Sequence, residues 1–146
     1  MTSIGDLIIR DPTHKSRLQT LVIDCETDDL ASDAAFWGSA LGCEVLDCNM
    51  EPGDENYREL KADPSQPKIL VQKVSHPSRV HLDIEADDIE AEVVRLERLG
   101  AKKVGKVRHF TILEAPSGQR FCIVPVQRPD FEEKANVWME RDDDDA

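Results

Sequence analysis

The chain carries one pattern twice, and that repetition restricts its fold more than any other feature. Residues 20–45 (TLVIDCETDDLASDAAFWGSALGCEV) run as a β-branched stretch, an acidic turn, a helix-like stretch, Leu-Gly and a second β-branched stretch. Residues 79–104 (RVHLDIEADDIEAEVVRLERLGAKKV) repeat that order. Asp28-Asp29-Leu30 answers Asp87-Asp88-Ile89 at an offset of 59 residues, and Leu41-Gly42 answers Leu99-Gly100 at 58. A repeat of this length marks two copies of one supersecondary unit, neither able to bury its apolar face alone.

Within the first copy, Leu18–Cys25 is predicted as a strand from its β-branched centre. Thr27 or Asp28 caps a helix that runs to about Leu41 and stops at Gly42. Its Leu30, Ala34, Trp37 and Leu41 follow the 3–4 spacing of a buried stripe. Strands are predicted near Glu44–Cys48 and Tyr57–Lys61, separated by the turn-rich Glu51-Pro52-Gly53-Asp54, and again over Lys68–Val74. In the second copy Val80, Leu82 and Ile84 alternate with Arg79, His81, Asp83 and Glu85. That period of two makes a strand with one dry and one polar face. Asp87 or Asp88 then caps a helix with the stripe Ile89, Val93, Leu96 and Leu99, closed at Gly100. Strands near Lys102–Val107, Phe110–Glu114 and Phe121–Val126 complete it, so each half reads βαβββ. Residues 1–17 form an N-terminal extension in which Ile4, Leu7, Ile8 and Ile9 suggest a docking segment. Residues 128–146 form an acidic C-terminal tail, with Phe131, Val137, Trp138 and Met139 suggesting a short terminal helix and Asp142–Asp145 a solvated run.

A length of 146 residues suits one domain with a real core, and a net charge of −12 narrows its partners. Binding to a phosphate backbone needs clustered Lys and Arg, and so does attraction to anionic lipid; neither nucleic acid nor a membrane is an expected partner. No apolar stretch approaches the ~18 residues of a membrane span, and the first residues lack the form of a secretory signal. Cys25, Cys43, Cys48 and Cys122 have neither CxxC nor zinc-finger spacing and sit among apolar neighbours. A reduced, cytoplasmic protein is the expectation.

The βαβββ duplication resembles the vicinal oxygen chelate superfamily, which holds glyoxalase I, extradiol dioxygenases, fosfomycin resistance enzymes and bleomycin-sequestering proteins. The resemblance covers 18–127, as module one over 18–75 and module two over 79–127. Its carriers are Ala35-Phe36-Trp37 with Leu41-Gly42, His81-Leu82-Asp83-Ile84 with Asp88 seven residues after the histidine, and Ala115-Pro116-Ser117-Gly118-Gln119-Arg120-Phe121-Cys122. The last is similar to the family's DPxGNxxE turn and strand, and a Cys in its final position is typical of the glyoxalase-like domain subgroup. The resemblance implies an α+β fold in which two tandem βαβββ modules form a cup-shaped, eight-stranded mixed sheet with helices outside. It also implies association in pairs, so a homodimer is expected.

Metal-dependent members bind a divalent cation through His, Glu or Gln side chains facing into the cup. Carried over position by position, that set becomes His81 in the second half, Val22 or Thr20 in the first, Gln72 on the fourth strand and Cys122 on the last; the resemblance implies that the His81 ring points into the cup while Val80 and Leu82 face the helices. Tight binding takes three or four good donors, and His81 is the only strong one here, so no metal ligand beyond His81 and no cofactor is assigned; a divalent metal stays open. The candidate ligand-binding set is Thr20, Val22, Asp24, Gln72, His81, Asp83 and Cys122, with His81 as the candidate acid–base residue beside Asp83. Arg79 and Arg108-His109-Phe110 are read as strand-entry charges, with binding of an anionic or planar ligand as the alternative. Three functions follow. The first is a glyoxalase-like protein holding a small organic molecule, cationic or neutral in view of the acidic surroundings, with a degenerate metal site. The second is a metal-dependent lyase, isomerase or dioxygenase using His81, and the third a structural dimer with a vestigial cup.

Overall fold

The computed structural model describes residues 12–46 and 54–139, which hold nine strands and three α-helices. The predicted docking segment around Ile4–Ile9, Cys48, most of the turn at Glu51–Asp54 and the run Asp142–Asp145 lie outside the described residues. The elements are β1 (Pro12–Glu26), α1 (Leu30–Leu41), β2 (Val45–Leu46), β3 (Tyr57–Leu60), β4 (Lys68–Val74), β5 (Arg79–Ala86), α2 (Ile89–Arg98), β6 (Lys102–Val107), β7 (Phe110–Glu114), β8 (Arg120–Val124), α3 (Phe131–Lys134) and β9 (Asn136–Met139). The α+β class and the order β-α-β-β-β, twice, are therefore as the sequence predicts. Pairing is mixed: β1 and β4 run parallel, while β2–β3, β3–β4, β6–β7 and β7–β8 run antiparallel.

Two compact units divide the chain, one of Leu18–Asp83 and one of Ile84 onward with the residues up to Arg17, and β1 and β5 contribute to both. In the first unit the strand order is β2-β3-β4-β1-β5. Asp29 caps α1 by accepting the Ser32 N–H at 3.2 Å, and Gly42 ends it in the left-handed region at φ 70°. That conformation costs a residue with a Cβ about 1 kcal/mol or more and suits glycine. Leu30, Ala34, Cys25, Leu60 and Val71 form the core, with Ile23, Trp37, Cys43 and Ile69 packed against it. The predicted stripe is rotated. Gly38 is buried and Leu41 is exposed, so the contact row is Leu30, Ala34 and Gly38 at i, i+4 and i+8. A Cβ at Gly38 would stand 2.8 Å from the Cys43 carbonyl oxygen and 3.0 Å from Val45 Cγ2, which shows how closely the helix approaches the returning chain.

In the second unit the order is β5-β8-β7-β6, with β9 antiparallel to the first residues of β1. Asp88 caps α2 through the Ala91 N–H at 3.0 Å, the counterpart of Asp29. Ala86, Val93, Leu96, Leu113 and Ile123 form its core, with Ile84 and Ile89 alongside. Two predictions need correction here. Leu99 is exposed, because α2 ends at Arg98 and Leu99 is its cap. The tail makes one helical turn, α3, and then strand β9 in place of a terminal helix, because β9 finds an open ladder position along Pro12–Ser16.

Two buried ionic networks hold that tail. Glu85, fully buried, accepts Arg17 Nε at 2.7 Å and the backbone N–H groups of Gln127 and Arg128, while Arg17 Nη2 reaches Asp130 at 2.6 Å. Glu92, on the buried side of α2, accepts His14 Nε2 and the Ser16 hydroxyl at 2.7 Å each, and both Arg95 Nε and Nη2. The Trp138 indole N–H donates to Ser16 Oγ at 2.8 Å, and the Arg95 guanidinium lies 3.8 Å from the Trp138 ring centroid. Burial by itself would raise the Glu92 pKa, yet the hydrogen bonds from Arg95, His14 and Ser16 hold it below the ordinary value. A carboxylate kept ionised is acceptor-only, so the His14 nitrogen facing it donates.

Two substitutions check this packing. Gly38→Ala gains up to ~1 kcal/mol of helix propensity but forces overpacking worth about 1–3 kcal/mol, so urea denaturation should show a net loss. Glu92→Ala strands buried His14 and Ser16 and should cost about 3 kcal/mol, with faster proteolysis of the segment after Gln127.

Candidate functional site

On the strands of the Leu18–Asp83 unit, alternation separates two faces. Ile23, Cys25, Ile69, Val71 and Leu60 pack with α1. Thr20, Val22 and Asp24 on β1 therefore belong to the opposite face, and Gln72, the register partner of Asp24, belongs there too. Tyr57 pairs with Gln72 across β3 and β4 and joins the same face. Thr20, Val22 and Asp24 are buried, while Gln72 and Tyr57 are half-buried.

His81 organises this face. Its Nδ1 lies 2.7 Å from Asp24 Oδ2, a hydrogen bond in which the ring donates to the carboxylate. Its Nε2 lies 3.3 Å from Asp83 Oδ1, an ion-pair approach without hydrogen-bond alignment. The Asp24 side chain is 1% exposed and that of His81 15%. Arg79 Nε stands 3.7 Å from Asp24 Oδ2, on a side chain half in solvent. Burial pulls the His81 pKa down, but the hydrogen bond to Asp24, the close approach of Asp83 and the charges of both outweigh it and raise it to about 9. At neutral pH the ring is an imidazolium held between two carboxylates. Two buried oxygens, Asp24 Oδ1 and Asp83 Oδ1, have no hydrogen-bond partner.

The same geometry tests the divalent metal that the resemblance implies. A ligating imidazole offers a nitrogen lone pair, and both nitrogens of His81 are turned to carboxylates, Nδ1 to Asp24 and Nε2 to Asp83. Val22 and Thr20 offer no good ligand at the first-half position. Within the Leu18–Asp83 unit the described donors Asp24, His81 and Asp83 do not form the converging set of three that tight binding of a divalent metal takes.

The remaining predicted residues fall on other elements or point differently. Cys122 is on β8 in the other unit, half-buried and paired with Ile112. Arg108 and His109 form the two-residue turn between β6 and β7, both exposed, with Arg108 at φ 56°. Val80 and Leu82, expected to face helices, are 59% and 42% exposed; the core around α2 takes only Ile84 and Ala86 from that side of β5. The larger concavity, about 700 Å³, lies in the second unit beside Ile89, Pro125, Val126 and Phe131. Its acids are already committed: Asp88 caps α2, Asp87 accepts the Lys15 N–H, and Glu132 pairs with Lys15. Chemistry and volume thus part company, and the charge cluster around His81 identifies the more informative site. Tyr57 escaped the sequence reading, because only the β3–β4 register places it beside Gln72.

A protein-family model for the glyoxalase-like domain matches residues 20–124. No curated protein matches. Among solved structures, a Legionella pneumophila protein described as an NAD-dependent benzaldehyde dehydrogenase is similar at 7% identity, with 74% of this chain and 98% of that chain covered and a TM-score of 0.54. The 2,2',3-trihydroxybiphenyl 1,2-dioxygenase of Sphingomonas wittichii is similar at 16% identity and TM-score 0.53, covering 79% of this chain and 42% of the dioxygenase. At these identities the likeness concerns the fold. Among the described residues no helix is long and apolar enough to cross a membrane.

The His81 clamp predicts a pH dependence. The folded ring, with its pKa raised from 6.5 to about 9, holds its proton more tightly than the unfolded chain does. Its contribution is complete below the unfolded value and is lost as pH climbs through the folded one. NMR titration should place the His81 pKa near 9, and unfolding free energy should fall by up to about 3 kcal/mol between pH 6.5 and 9. Asp24→Asn should lower that pKa and flatten the slope.

Proposed function

Because the chain belongs to the glyoxalase-like domain family, within the vicinal oxygen chelate superfamily, we propose that it binds a small organic molecule without metal-dependent catalysis. The binding surface is the face of the Leu18–Asp83 unit that carries Asp24, His81 and Asp83, flanked by Thr20, Val22, Gln72 and Tyr57. The observation that carries this reading is the charge clamp on His81, with the buried Asp24 Oδ1 left without a hydrogen bond. Buried acceptors are nearly always satisfied in native proteins, and an unsatisfied one costs about 1–3 kcal/mol. Retaining one beside the clamp suits a site whose partner arrives from outside.

His81 then serves as a fixed counter-charge. An imidazolium with a pKa near 9 is not a base at neutral pH, and its two N–H groups are directed at Asp24 and Asp83, which speaks against a lyase or dioxygenase reaction through this residue. Pairing with a second copy and a cytoplasmic setting belong to the same reading, with exposed Val80 and Leu82 as apolar surface available to a partner protomer.

The test combines two measurements on protein purified without chelator. Fragment binding followed by amide NMR should shift Val22, Asp24, Gln72 and His81, and elemental analysis should find no stoichiometric transition metal. A screen that leaves those amides unmoved refutes the site. A retained metal that disappears in His81→Ala refutes the metal-independent reading.

A further inference from the structure

The unit of Ile84 onward holds a smaller hollow of opposite chemistry. About 330 Å³ in volume, it lies between the start of α2 and the turn joining β6 to β7; Ile89 and Pro125 wall it, Lys106, Arg108 and His109 rim it, and Thr111 forms its floor. That volume falls within the range of small-molecule sites, about 300–1,000 Å³. In a chain of net charge −12 the surroundings are locally basic, for residues 101–113 include Lys102, Lys103, Lys106 and Arg108 and no acid. Lys106 and Thr111 are register partners, so both side chains leave the hairpin on the side where Leu113 packs beneath α2. Lys106 meets Glu90 at 3.3 Å, but both side chains are exposed and such pairs are weak. Arg108 and His109 have no hydrogen bond or ion pair among the described residues. Thr111 is only 2% exposed, yet its hydroxyl has no hydrogen-bond partner among the described residues. Buried hydroxyls are normally paired, and this one is left open to the hollow.

A ligand here meets donors and positive charge. The Asp88 carboxylate already occupies the positive end of α2, so attraction has to come from the side chains. An organic cation is repelled by Arg108 and Lys106. A neutral apolar body fills the hollow without using the guanidinium or the hydroxyl. An oxyanion accepts two hydrogen bonds from a guanidinium and another from Thr111. Its organic remainder has a place as well: Ile89 and Pro125 also wall the larger concavity, where Val126 and Phe131 continue the apolar surface. We propose that this hollow is a ligand site for the carboxylate or phosphate head of a small organic anion, held by Arg108, Lys106 and the Thr111 hydroxyl, with its apolar body against Ile89 and Pro125. Glu90 competes with the ligand for Lys106. Arg108 stands at φ 56°, in the region where a two-residue hairpin turn ordinarily carries Gly, Asn or Asp, so an arginine is kept there at a cost in backbone strain. The site lies within one unit and does not rest on the Asp24–His81 face.

The experiment titrates the full chain with phenyl phosphate, benzoate, inorganic phosphate, benzyl alcohol and benzylamine, following amide shifts at Ile89, Arg108 and Thr111. Phenyl phosphate or benzoate should bind there roughly tenfold more tightly than benzyl alcohol, the worth of one hydrogen bond to a charged group, and benzylamine should leave those amides unmoved. The tighter of the two anions assigns the head as phosphate or carboxylate. Inorganic phosphate binding as tightly as phenyl phosphate overturns the apolar half of the proposal. Arg108→Gln and Thr111→Val should each weaken the preferred anion roughly tenfold, and Glu90→Gln, which frees Lys106, should strengthen it. Lys102→Gln, at the far end of β6 from the turn, should change nothing; an equal loss there shows diffuse attraction to a basic hairpin and overturns the site. So does the absence of any shift at Ile89 and Thr111 with all three anions. If Thr111→Val does not fold, the exposed positions Arg108 and Glu90 decide. Amides of Val22 and Gln72 report on the other face, so the two readings fail separately.

Discussion

Buried charge must be neutralised where it sits, and β1 and β5 are strung with it. Along β1, His14, Ser16 and Asp24 are buried and Arg17 is nearly so; along β5, Glu85 is fully buried and His81 and Asp83 are largely covered. An unpaired charge in such positions costs several kcal/mol, enough to consume much of a domain's stability. Each is answered locally: Glu92 by His14, Ser16 and Arg95, Glu85 by Arg17 and two backbone N–H groups, Asp24 by His81. The apolar cores under α1 and α2 supply the driving force in each unit, but these pairings settle which segments accompany them. The segment after β8 is held because Glu85 and Glu92 need the partners that it, Arg17 and His14 bring.

Elements with local causes were legible in the sequence. Asp88 caps α2 as one of the two residues expected, because a carboxylate can reach the N–H three residues on, and Gly42 stops α1 because the left-handed turn excludes most side chains. The cap of α1 is Asp29, one or two residues beyond the Thr27 or Asp28 expected. Elements with distant causes were not legible. Glu92 becomes a buried hub only through the approach of His14, 78 residues away. Trp138 reads as a face of a terminal helix, yet its indole N–H is spent on Ser16 across 122 residues. At the site, strand alternation is local, so a period of two is enough to put His81 with Asp83 on one side of β5. Which carboxylate meets which ring nitrogen depends on how β1 and β5 are placed beside each other.

The sequence by itself determined the duplicated βαβββ order, the approximate helix positions, the α+β class and the family, since capping, turn chemistry and hydrophobic period act within a few residues. Tertiary structure alone decided that the tail would become β9, that Val80 and Leu82 would lie exposed, and that His81 would be clamped as a cation. Those outcomes depend on strand register and on long-range charge pairing, whose energies exist only once residues far apart in the chain are brought within hydrogen-bond distance.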